Sequence, residues 1–212
     1  MGTTGAKAAE IKLMCSGAMR PALEELAPQF ERTSGYKLAI SYAGTNVIRD
    51  RALAGDAGDL VIFAGPAVEG VVRQGKLAAK VDLVRSGVGV GVRAGSPRPD
   101  LSSAEAFKRA LLAAKSFARS EGPSGVYIAG LLERMGIAEQ MKAKTVVVRG
   151  RLVGDALIKG EAEIGVQQIS ELKSVPGVDV LPMPAEIQHV TVFSAGLSPA
   201  AKDSEAVQAL IK

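Results

Sequence analysis

The sequence predicts an α/β fold built on mostly parallel sheets. Two observations carry this: short apolar runs alternate with segments of helical period, and the link between them is repeatedly a cluster of Gly, Ser, Thr or Asn. A third is composition. An apolar fraction of 47% beside 23% charged residues is that of an ordinary globular chain, and 212 residues suffice to bury a core without metal or disulfide.

The elements follow in order. Ile11–Met14 reads as a strand and Cys15-Ser16-Gly17-Ala18 as its turn. Leu23, Leu26, Ala27 and Phe30, spaced i, i+3, i+4, i+7, mark a helix with Pro21 in its first turn, ending near Ser34-Gly35. Lys37–Tyr42 is a strand, Ala43-Gly44-Thr45-Asn46 a turn and Val47–Leu53 a helix. Asp59–Phe63 is a buried strand, followed by Gly65-Pro66 and a short helix ending near Gly75. Ser86–Val92 alternates Gly87, Gly89 and Gly91 with apolar residues, as in a strand that another backbone or side chain approaches closely. Phe107, Ala110, Leu111 and Ala114 mark a helix, and Ser116–Ala118 a strand. The turn Ser120–Gly125 leads into a helix with Ile128, Leu131, Leu132 and Met135 on one face. Strands at Val146–Val148, Ile164–Val166, Val178–Leu181 and Val190–Phe193 and helices at Val153–Lys159 and Ser204–Ile211 complete the pattern.

Composition excludes several functions. One cysteine, Cys15, allows no internal disulfide, and with the single His189 it makes a structural zinc cluster untenable. A Ser-His-Asp triad would need His189 as its base. No Trp and 4% aromatics remove the stacking platforms of single-strand nucleic-acid binders. The 26 Lys and Arg are interleaved along the chain with 22 Asp and Glu, so the formal charge of +4 reads as a solvated surface, not a nucleic-acid footprint. No stretch approaches the about 20 apolar residues of a membrane span. Met1–Glu10 lacks the apolar core of a signal peptide, so the expected location is periplasmic if a leader has been removed and cytoplasmic otherwise.

Chemistry is expected at the turns. In open α/β sheets ligands bind beyond the carboxyl ends of strands, where helix N-termini offer unpaired N–H donors and the positive end of a dipole. Ser16-Gly17-Ala18, Gly44-Thr45-Asn46 and Pro123-Ser124-Gly125 are three such turns, read either as anion-binding or as simple helix caps. Arg149-Gly150-Arg151 can clamp a carboxylate or form a solvated turn, and Gln167-Gln168 can bond a ligand or tie neighbouring loops. Cys15 reads as a buried core residue and His189 as structural. Gly87-Val88-Gly89-Val90-Gly91 is no dinucleotide fingerprint, and Gly122–Gly125 no P-loop.

From about Ile11 to Phe193 the chain resembles the molybdate-binding protein family, the solute receptors of bacterial ABC importers. The resemblance rests on Leu13–Leu26, on Ser41–Asn46 followed by Leu53–Leu60, on Pro123-Ser124-Gly125-Val126-Tyr127 and on Gly160–Val166, in that order and spacing. It implies a two-lobed periplasmic-binding-protein-like fold, with residues 10–84 and 189–212 in one lobe and 85–188 in the other. The lobes would be joined by strands crossing near Leu83–Gly87 and Glu186–His189, with a small anion held in the cleft. It implies a monomeric, non-enzymatic receptor that needs no cofactor and delivers its ligand to an ABC permease. The implied ligand residues are Ser16, Gly17, Ala18, Thr45, Asn46, Ser124, Gly125, Arg149, Arg151 and Gln168.

The sequence departs from the family at three places. Ala18 stands where the family has serine, Gln168 where it has a ligand-contacting tyrosine, and the Arg149/Arg151 pair suits an organic carboxylate better than molybdate. The alternative is an isomerase of small polycarboxylates, of the aconitate isomerase type, with Glu121 or Glu163 as base and Arg149 holding a carboxylate. A regulator's effector-sensing domain shares the architecture but would need an attached helix-turn-helix, which the ten residues before Ile11 do not supply.

Overall fold

A computed structural model describes residues 9–201 and 204–212. Most of the Met1–Glu10 segment, read above as lacking signal-peptide character, lies outside the described residues. The chain divides into two compact units, Met1–Val84 with Val192–Lys212, and Arg85–Thr191.

Unit 1 contains β1 (Glu10–Ser16), a 3-10 turn at Gly17–Met19, α1 (Arg20–Ser34), β2 (Lys37–Ala43), α2 (Thr45–Leu53), β3 (Leu60–Ala64) and α3 (Gly65–Arg73). Strands run β2-β1-β3, all parallel. The antiparallel β9 (Val190–Leu197) then pairs with β3. Because side chains alternate across a strand, β1 and β3 supply two cores. Leu13, Cys15, Leu60 and Ile62 pack with Leu23 of α1 and with Val207 of α9 (Glu205–Ile211), while Met14, Val61 and Phe63 pack with Ile48 of α2 and Val68 of α3. All five residues of β3 are buried, as expected of a strand covered on both faces.

Unit 2 is built the same way. It contains β5 (Phe117–Ser120), α5 (Pro123–Arg134), β6 (Thr145–Val148), α7 (Val153–Ile158) and β7 (Ile164–Gln168), with β5 parallel to both β6 and β7. The second half of β4 (Ala79–Arg93) pairs antiparallel with β7 on one side and with β8 (Val178–Pro182) on the other. Helix α4 (Ala104–Ala113) starts on Ser103, whose hydroxyl accepts from Ala106 N at 3.1 Å. Phe107, Phe117, Ile128, Val88, Val90 and Val92 form one core, and Ala118, Val153, Leu157 and Leu172 the other.

The α/β prediction holds, with differences that have physical causes. Strand β4 begins at Ala79, seven residues before the predicted start at Ser86. Its early residues alternate half-buried Val81 and Leu83 with Lys80 and Asp82, which pair with each other at 2.8 Å, so charge interrupts the apolar signal. Helices α6 (Ala138–Lys142) and α8 (Ile169–Lys173) are too short to show a period. Leu26, read as part of the buried face of α1, is 54% exposed; the helix touches its core mainly through Leu23 and Phe30.

The Gly-Val alternation of β4 has a steric origin. The valines face the α4/α5 core, and the glycines face α7 and α8, where a Cβ on Gly89 would lie 2.7 Å from Ile169 Cγ1. Gly89→Ala is expected to destabilise the protein by about 1–3 kcal/mol through overpacking, read as a lower midpoint in urea at unchanged slope.

Candidate functional site

Parallel register brings the predicted turns together within each unit. In unit 1 Ser16 lies opposite Ala43, so the Gly17–Met19 turn and the start of α2 leave the same end of adjacent strands. In unit 2 Ser120 lies opposite Val148, and Arg119 opposite Val166. The β5–α5 turn, the Arg149 turn and Gln168 therefore share the carboxyl edge of that sheet, where ligands bind in folds of this kind.

In unit 1, Ser16 is buried and heads the 3-10 turn in extended conformation, its side chain making no capping bond. Gly17 follows it, and Ala18 is buried with no hydroxyl to offer. Gly44 caps α2 with no side chain, so Thr45 is the first helical residue, and Asn46 after it is exposed. Thr45 Oγ1 is buried and has no hydrogen-bond partner, the sole side-chain nitrogen or oxygen in that condition among the described residues. An unsatisfied buried hydroxyl costs about 1–3 kcal/mol. It sits in the first turn of a helix whose first N–H groups are themselves unpaired along the helix axis. The two together form a donor set for an anion.

In unit 2 the turn is tighter. Ser120 and Ser124 are both buried, with their hydroxyl oxygens 3.2 Å apart. Gly125 is obligatory there, since a Cβ would lie 1.6 Å from the Ser120 carbonyl oxygen. Arg119 is half-buried and donates from Nη1 to the carbonyls of Ser120 and Gly125, both at 3.3 Å. Sequence reading ended this strand at Ala118 and so missed Arg119; the available signal was one cation directly after an apolar run.

The other predicted residues have protein partners. Arg149 is exposed and pairs with Glu121 on the neighbouring turn, Nε to Oε2 at 3.3 Å, and Arg151 pairs with Glu161. Gln168 is buried; its amide donates to Ser86 Oγ and Ser86 O at 3.1 Å and to Gly87 O at 3.2 Å, and its Oε1 accepts from Thr191 Oγ1 at 2.8 Å. Gln167 Oε1 accepts from Val153 N at 2.7 Å. Of the two roles open to these glutamines, the structure shows the tie between strands and loops.

His189 stacks on Tyr127, with ring centroids 4.5 Å apart, and Tyr127 donates its hydroxyl to Ile187 O at 2.6 Å. Burial pushes the Cys15 thiol up to about 12, which keeps it protonated and unreactive. Glu163, a base in the alternative reading, precedes β7 and accepts from Lys115 N at 2.8 Å, at the opposite end of the strand from Gln168. There it lines a cavity of about 730 Å³ with Arg93, Arg98 and Arg109, away from the turns. Arg98 is paired with Asp179 at 3.0 Å. Among the described residues no cluster of three or more His, Cys, Asp or Glu could hold a metal.

The carboxylate with the unusual environment is Glu171, in the first turn of α8. Burial pushes it up to about 7, against hydrogen bonds from Gln168 N and the Gln167 side chain. Its place three residues after Gln168 is the capping-box spacing, a signal present in the sequence.

These features define a periplasmic-binding type of α/β protein, with turns rich in hydroxyl and backbone donors on the carboxyl edge of each sheet. Solved structures agree on the fold. The Azotobacter vinelandii periplasmic molybdate-binding protein superposes with a TM-score of 0.74 at 18% identity, over 94% of this chain and 89% of that one. The Campylobacter jejuni protein Peb3, with L-phospholactate bound, gives 0.71 at 12% identity over 94% and 91%. A curated relative, an aconitate isomerase from a Pseudomonas species, is 34% identical over 95% of this chain and 80% of its own length. The family model for bacterial extracellular solute-binding proteins matches residues 11–212, and the chain belongs to that family.

Glu171 gives this region a testable pH dependence. Its folded pKa lies above the ordinary value near 4.5, so between about pH 4.5 and 7 the folded state holds a proton the unfolded state has lost. Stability contributed by this group therefore falls as pH rises through that window, by about 1–3 kcal/mol, and levels off above it. Denaturation midpoints of Glu171→Gln, measured from pH 5 to 8, are expected to lose this slope; an unchanged slope would assign it elsewhere.

Proposed function

We propose that this protein captures a small anion, using neutral hydroxyl and backbone donors on the carboxyl edges of its sheets, and hands it to a partner permease. The observation that carries the reading is the buried, unbonded Thr45 hydroxyl at the start of α2. Such a group is costly in the empty protein and becomes satisfied when a ligand oxygen arrives. Preorganised dipoles of this kind hold a desolvated anion without a matching cation in direct contact. Membership of the solute-binding family supports the receptor role, and the molybdate-binding and phospholactate-bound neighbours show that this fold takes up small anions.

A second reading is favoured by the aconitate isomerase relative: proton transfer within a small tricarboxylate on the same scaffold. Incubation with cis- or trans-aconitate, followed by proton NMR, distinguishes the two. Interconversion at a rate proportional to protein makes the chain an enzyme; binding without interconversion leaves it a receptor.

For the receptor reading the test is a thermal-shift and calorimetry panel of molybdate, tungstate, sulfate, phosphate, citrate and aconitate, run on the wild type and on Thr45→Val. Val keeps the shape and removes the unsatisfied hydroxyl. The variant is expected to be at least as stable as wild type without ligand, yet to bind the stabilising anion about tenfold or more weakly. Equal affinity in the two proteins would remove Thr45 from the site.

A further inference from the structure

We infer that Arg119 provides the counter-charge of the β5–α5 turn, and that the ligand class is a small carboxylate with more than one acidic group; this rests on the anion-capture reading above. The argument begins with where the cation sits. Arg119 is on β5, between β6 and β7, beside the turn that carries buried Ser120 and Ser124, and is itself partly buried. Its hydrogen bonds to described residues use Nη1 alone, to the carbonyls of Ser120 and Gly125. Among the described residues Nε and Nη2 have no acceptor, and no carboxylate lies within 4.0 Å of the guanidinium.

A partly desolvated cation without a counter-charge is unfavourable, and the two carbonyls offset only part of that cost. Two other basic residues at the same edge behave otherwise. Arg149 has Glu121 and Arg151 has Glu161, so both are neutralised by the protein itself. Arg119 is thus a partly buried cation at this edge whose remaining donors are open to a ligand. A guanidinium presents paired N–H groups in a plane, which match the two oxygens of a carboxylate.

The ligand geometry follows from the donors present. Neutral hydroxyls and helix-start N–H groups suffice for one compact oxyanion; a fixed cation beside them is justified when the ligand carries a further negative group. Two bonds from Nη1 to the turn hold the side chain in place, so little rotamer freedom is lost on binding.

The test uses the full chain and calorimetry with tricarballylate, a tricarboxylate without a double bond to isomerise, alongside sulfate, phosphate and molybdate. Arg119→Gln is expected to weaken tricarballylate about tenfold to a hundredfold, while changing binding of the inorganic anions less than about threefold. Arg119→Lys, which keeps charge but not the planar fork, is expected to recover part of the loss. Wild-type affinity for tricarballylate should fall more steeply with added salt than that of Arg119→Gln. Equal tricarballylate affinity in wild type and Arg119→Gln overturns the inference. So does an equal loss for every anion together with a lower ligand-free Tm, which is what a merely structural arginine would give. If Arg119→Gln does not fold, the lysine variant and the wild-type salt dependence decide alone. Binding of phosphate or molybdate with no carboxylate bound leaves the anion-capture reading standing and removes this one; no binding of any anion removes the anion-capture reading first.

Discussion

The candidate site depends on one constraint, the register of parallel strands. A parallel pair aligns the carboxyl ends of its strands, and each strand here feeds a helix within a few residues. Ser16 opposite Ala43 and Ser120 opposite Val148 are backbone facts. From them it follows that residues more than twenty positions apart open their helices side by side. No side chain has to reach far. The donors at these turns are mostly backbone groups and short hydroxyls, which lose little conformational freedom when a ligand binds.

That register is held from beneath by close packing. β1 and β3 are buried on both faces, and in β4 glycines replace side chains wherever α7 and α8 press on the sheet. Gln168 adds a polar fastening, joining β7 to Ser86 and Gly87 of β4 and to Thr191 of β9. A buried glutamine with all its neighbours satisfied is a strong directional tie, because any slip leaves amide and carbonyl groups unpaired in a dry environment. The same residue type in solvent would contribute little.

Much of this was legible in the sequence, and the limits have a physical shape. Strand-turn-helix order followed from periodicity because both cores are lined at every second strand residue. The three turns stood out because Gly with Ser, Thr or Asn is chemically distinctive. Glu163 could not be placed by inspection: only the direction of β7 shows that it lies at the end away from Gln168. Arg149 and Arg151 were prominent as sequence but are neutralised by Glu121 and Glu161, partners that a linear reading has no means to pair. Thr45 and Asn46 look alike in the sequence, and burial alone separates an unsatisfied hydroxyl from an exposed amide.

Charge placement explains why Arg119 matters more than the number of basic residues at the edge. An arginine bonded to a protein carboxylate presents a nearly neutral pair to an approaching anion, and the ligand would have to break that pair to gain anything. An arginine held only by carbonyl oxygens keeps its full charge and loses no ion pair when the ligand docks. Within its own unit each turn thus offers donors that need not first be released from a protein partner: the Thr45 hydroxyl in one, the Arg119 Nε and Nη2 groups in the other. The same logic accounts for Glu171. Burial raises the pKa of its carboxyl, so near neutral pH it adds less negative charge to this edge than an exposed glutamate would.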